Sequence, residues 1–107
     1  MKMKYISIKN NQTTPVSEIP EMAYPIFFEE NTGLISGHPE RHCVNYFGYR
    51  LNDKIKLICC IADDATHEIY VSSTVVHADD NLKSFTKEYF CFEKFEREIH
   101  ENFGIGF

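Results

Sequence analysis

Lys4 to Lys9 (KYISIK) alternates, with Ile6 and Ile8 on one side and Tyr5 and Ser7 on the other, which is the period of a short half-buried strand. The same strand-like character returns in three longer runs, HCVNYFGYRL, KIKLICCIA and HEIYVSSTVV. Turn-prone pairs, Asn52-Asp53 and Asp63-Asp64, separate them, so the three runs predict an antiparallel meander. Each strand offers one side to a core. In the middle run that side is Ile55, Leu57, Cys59 and Ile61, and in the third it is Ile69, Val71, Ser73 and Val75. Lys54, Lys56, Glu68 and Tyr70 are left for the other side.

In two places the apolar spacing changes to steps of three and four. Pro25 suits the first turn of a helix, and IFFEENTGLIS puts Ile26, Phe27, Leu34 and Ile35 near one side before Gly37 stops it. The segment before it, NNQTTPVSEIPEMAYP, carries Pro15, Pro20 and Pro25 and reads as a loop with at most one helical turn. The strongest helical pattern runs from about Ser84 to Phe103. Phe85, Tyr89, Phe92, Phe95 (or Cys91), Ile99 and Phe103 form its apolar stripe, and Gly104 stands where a left-handed cap is wanted. Glu93 and Arg97 sit at i, i+4 in the favourable order. Together these elements predict a two-layer α+β domain, with helices packed on one face of an antiparallel or mixed sheet.

Composition narrows the setting. With 107 residues and 43% hydrophobic content the chain can bury one core, so residues 1–107 are expected to form a single domain. Sixteen acids against eleven Lys and Arg give a net charge of -5, which repels phosphate backbones and anionic lipid. Nucleic acid is not an expected partner, and neither is a membrane surface. No stretch approaches the roughly 18 to 20 apolar residues of a membrane span, and MKMKYISIKN lacks the apolar core of a secretory signal, so a cytoplasmic protein without direct membrane insertion is expected. Cys43, Cys59, Cys60 and Cys91 contain no C-x-x-C pair and read as reduced, mostly buried thiols.

Candidate chemistry is sparse. His38 and His42 are four apart, but Pro39 between them opposes a shared helix face for a metal. Glu96 and His100 have helical ligand spacing, which is also ordinary on a solvated face. Cys91, placed inside the expected helix without a neighbouring base, reads as a packing residue. Gly104 and Gly106 follow a helix instead of opening one, so they form no phosphate cradle. An independent small metal-binding protein or enzyme using its His and Cys residues is the competing reading.

The most specific string is Phe95-Glu96-Arg97-Glu98-Ile99, followed by Glu101 and by Gly104-Ile105. It resembles the signature of the C-type (30 kDa-like) subunit of proton-pumping NADH:quinone oxidoreductase. It is closer still to the homologous N-terminal domain of energy-converting [NiFe] hydrogenase large subunits of the formate hydrogenlyase type. The lead-in VSEIPEMAYPIFFEE and the order of the strands extend the likeness over most of the chain. In the family a Gly-His-Pro follows this signature, whereas here Gly37-His38-Pro39 precedes the strands and is no equivalent. Lys83-Ser84-Phe85-Thr86 lacks the proline with which the family approaches its helix.

The resemblance implies a scaffold or docking domain that holds no cofactor and no metal of its own. It further implies packing against a nickel-iron hydrogenase-like large subunit or a following domain, within a complex peripheral to the inner membrane. Glu96, Arg97, Glu98, Glu101, Gly104 and Ile105 would form that interface, with Arg97 bridging carboxylates. It also makes the chain the N-terminal part of a longer polypeptide.

Overall fold

Two helices lie on one face of a single mixed sheet in the computed structural model, which describes residues 4–9 and 14–107. Strand β1 (Ile6–Lys9) is followed by β2 (Glu21–Met22), helix α1 (Tyr24–Ile35), the meander β3 (Arg41–Leu51), β4 (Lys54–Asp63) and β5 (Glu68–Val76), and finally α2 (Glu93–Phe103). Residues 10–13 of the expected proline-rich loop lie outside the described residues. The rest of that loop contains one short 3-10 turn, Val16–Glu18, and then β2. The sheet order is β1-β5-β4-β3, and β2 runs parallel to the far half of β5. The expected two-layer α+β architecture is present.

The meander follows from its turns. Leu51 pairs with Lys54, so Asn52 and Asp53 alone reverse the chain, and Asn52 takes the left-handed conformation (φ 59°) that asparagine tolerates. At the other end Asp63 is buried and its Oδ1 accepts the amides of Ala65 and Thr66 at 2.9 and 3.1 Å, shaping the turn into β5. Its Oδ2 receives Arg41 Nε at 2.9 Å. This bond, more than any other contact, holds the Asp63 carboxyl below the usual aspartate range.

Which side of β5 meets the helices differs from the sequence reading. Ile55, Leu57, Cys59 and Ile61 of β4 do face the helical layer, but their partners across β5 are Val76, Thr74, Ser72 and Tyr70. Ile69 and Val71 instead line the opposite face with Ile6, Ile8, Ile58 and Cys60, beneath Ile19. Alternation alone gives two sets of residues without saying which set the helices cover. Here both sets are largely buried, the helical one with Ser72 and Thr74 in it, and Tyr70 lies on the helical side with Tyr5 and Arg41 packed on its ring. Lys56 is also mostly buried, its ammonium reaching Glu21 at 3.2 Å.

Helix α1 begins with Tyr24 and Pro25 in its first turn and buries Tyr24, Phe27, Phe28, Asn31, Leu34 and Ile35, a stripe of three- and four-residue steps. Ile26 lies off it and is 43% exposed. The expected long second helix is shorter at its start, because α2 begins only at Glu93, after a 3-10 turn at Phe90–Phe92. Tyr89 is extended (φ -137°, ψ 104°), and the stretch before it is a separate turn closed by Glu88 and Tyr89 amides on the Phe85 carbonyl. Cys91 is accordingly exposed in the 3-10 turn and is not a packing residue within a helix.

Candidate functional site

Glu96 explains why α2 starts late. Its place four residues after Phe92 and three before Ile99 puts it on the buried stripe, where it is 4% exposed. One oxygen accepts Phe85 N at 2.7 Å, and the other accepts Ser84 Oγ at 2.6 Å, Thr86 N at 3.2 Å and the Thr86 hydroxyl. Four donors converge on this one carboxylate, so the chain from Ser84 to Thr86 is bent around it and is not available to the helical ladder. The same clamp drives the Phe85 ring into the core. There it stacks on Phe92 with centroids 4.5 Å apart and packs on Phe28 and Tyr46 at 4.7 and 5.5 Å. Burial, and next the nearby Glu96 charge, push the Tyr24 phenol well up. Its hydroxyl donates to the Lys83 carbonyl.

Glu96 and Ile105 therefore do not stand on an outward docking face, as the sequence reading had them. Both are interior, Glu96 because its hydrogen-bond partners lie inside and Ile105 because it completes the core at 0% exposure. Arg97, Glu98, Glu101 and Gly104 are exposed. Arg97 Nη1 lies 3.5 Å from Glu93 Oε1, the i, i+4 pair expected, with more than half the arginine side chain in solvent. Gly104 caps α2 at φ 73° and returns its amide to the His100 carbonyl at 2.9 Å.

Beyond Gly104 the chain is laced to the loop after β5. Gly106 N donates to Asp80 O and Leu82 N to Gly106 O, both at 2.7 Å, while Asp79 N reaches Phe103 O at 3.3 Å. This lacing borders a groove of about 390 Å³ walled by Glu93, Arg97 and His100 of α2, by the clamped Ser84 and Thr86, and by Gly106 and Phe107. His100 Nδ1 stands 2.8 Å from the Ile105 carbonyl, which can only accept, so Nδ1 carries the proton and Nε2 is the nitrogen left for a partner. The groove thus offers a guanidinium, an imidazole and an aromatic ring beside a carboxylate already engaged.

Other sequence candidates stay apart. His38 lies 3.1 Å from Glu40 and His42 lies 3.6 Å from Asp64, separate pairs at the entrance to β3. Glu96 and His100 turn their polar atoms to different partners, and among the described residues no three His, Cys, Asp or Glu side chains converge as a metal site. Cys59 faces the helical core and Cys60 the opposite cluster, and burial pushes the Cys60 thiol up to about 11. Burial raises the Cys91 thiol as well, although part of the residue is exposed. Raised thiols are weak nucleophiles at neutral pH.

The residues missed by sequence reasoning are Ser84 and Thr86. Their signal was an acid on an apolar stripe, which demands donors from elsewhere in the chain. No protein-family model, no curated protein and no solved structure matches the chain. Among the described residues no helix is long and apolar enough to cross a membrane.

Proposed function

We propose that this chain is a non-catalytic docking domain of a hydrogenase or NADH dehydrogenase-type oxidoreductase complex, and that it packs against the large catalytic subunit or domain through the outer side of α2. The observation that carries the reading is the division of labour within Glu96-Arg97-Glu98. Glu96 anchors the helix to its own domain, and the next two residues are left exposed on that anchored helix. A rigid support matters because a guanidinium held in place spends less entropy in gripping a carboxylate bidentately. The likeness of Phe95 to Ile105 to the C-type subunit signature supplies the identity of the partner, a nickel-iron hydrogenase-like large subunit or a following domain of that kind. The complex as a whole would sit at the cytoplasmic side of the inner membrane, and the chain would reach the membrane only through it.

Co-expression of the chain with such a large subunit, followed by affinity capture at physiological salt, tests the reading. The two are expected to co-purify, and Arg97→Ala should reduce capture about tenfold, the size of effect of losing one charge-assisted interface contact. Undiminished capture with Arg97→Ala would remove Arg97 from the interface, and failure of the parent chain to co-purify would overturn the docking role.

A further inference from the structure

Strand β3 ends the sheet, and among the described residues no strand pairs with its outer side. An edge of this kind presents unpaired N–H and C=O groups in register for another strand. Proteins commonly blunt such edges with proline, lysine or an inward acid, yet Asn45 to Leu51 contains none of these, and the only irregularity of β3 against β4 is the bulge at Val44. Val44, Phe47 and Leu51 are instead 41%, 39% and 43% exposed along the strand. Phe90, at 79%, is exposed in the 3-10 turn that packs beside it.

The two ends of the β3–β4 hairpin differ in charge. At the tight turn, Arg50 and Lys54 face one acid, Asp53, a net of +1. At the open end, Glu40, Asp63 and Asp64 outnumber Arg41, a net of -2 with the histidines neutral. We propose that this edge is a self-association surface, on which a second copy of the chain docks antiparallel, β3 to β3, to make one continuous sheet. The antiparallel sense follows from the charges. A two-fold axis near the middle of β3 sets each basic turn end against the partner's acidic open end, whereas a parallel neighbour would meet like charge with like. It also brings the two Phe47 rings to the centre of the joint, within cross-strand reach.

The test is sedimentation of the full chain over a range of concentrations, read alongside amide hydrogen exchange. A monomer–dimer equilibrium is expected with a Kd below about 100 μM, and the alternate, outward-pointing amides between Asn45 and Leu51 should gain protection as the dimer fills. Phe47→Lys and, separately, Arg50→Glu should each weaken the dimer about tenfold or more, since every substitution acts twice across a two-fold interface. Because Arg50 also lies 5.7 Å from the Phe103 ring centroid, both variants are checked by circular dichroism, and the variant that keeps the fold decides. Arg97→Ala should leave the dimer intact, which keeps this surface distinct from the docking face on α2. A parent chain that stays monomeric up to about 1 mM, roughly ten times the highest Kd expected, overturns the proposal. So does a dimer that is indifferent to Phe47→Lys and Arg50→Glu, or one that dissolves with Arg97→Ala.

Discussion

A single carboxylate organises the helical end of this protein. Removing it in Glu96→Ala leaves the Phe85 amide and the Ser84 and Thr86 hydroxyls without this acceptor, while the Thr86 amide keeps Ser84 Oγ at 3.1 Å, and stability measured by urea unfolding should fall by about 2–4 kcal/mol. Glu96→Gln keeps the shape but can accept through only one oxygen, so its loss should be about half as large. The two variants together separate hydrogen bonding from packing. Gly104 is the second residue on which local geometry depends. A Cβ there would collide with the Asp79 carboxyl and the backbone is left-handed (φ 73°), so Gly104→Ala should cost about 1–2 kcal/mol in the same assay. The sequence made the Gly104 cap legible because a helix stop has a local signature. The Glu96 clamp was only half legible, because the acid's place on the apolar stripe calls for donors but those that answer it are ten and more positions away.

At the scale of elements, strand boundaries were readable to within a residue in the meander because both turns carry their own chemistry, Asn52-Asp53 in one and the Asp63 side chain in the other. The side of β5 that meets the helices was not readable, since both of its faces bury apolar groups. Helix α2 packs on β3 where Gly48 leaves room. A Cβ at that position would come within 2.7 Å of Leu57 Cδ2 and 3.1 Å of Phe103 Cε2, so Gly48→Ala should lower stability by about 1–3 kcal/mol by prising helix from strand. The meander is also the pH-sensitive element. Asp63 is held ionised by Arg41, Glu68 by the Ser7 hydroxyl, and Glu40 by its own amide and by His38, all below their ordinary values of 3.8, 4.5 and 4.5. A depressed carboxyl stabilises the fold above its unfolded value and loses that contribution as pH falls through the folded one. The thermal midpoint should therefore hold steady down to about pH 5 and decline below about pH 4, and Asp63→Asn should flatten part of that decline.

For the molecule as a whole, the two layers leave two distinct outer surfaces, the charged side of α2 with its groove and the bare edge of β3. The exposed charge of Arg97 and Glu98 was legible in the FERE string, the groove was not, and Glu96 and Ile105 belong to the interior. The second was invisible in sequence, because which strand of a meander ends the sheet depends on where the distant β1 and β2 attach. Accessibility to thiol reagents offers a global check on the layering: Cys91 should be alkylated first, Cys60 more slowly, and Cys43 and Cys59 only on unfolding.

That attachment of β1 has a consequence in time as well as in space. Ile6 to Lys9 pair with Glu68 to Val71, so the first of the five described strands to be made must wait for the fifth before it finds its place. The β3–β4 hairpin, closed by two residues, needs no such wait and can serve as the nucleus onto which β5, the helices and lastly β1 assemble.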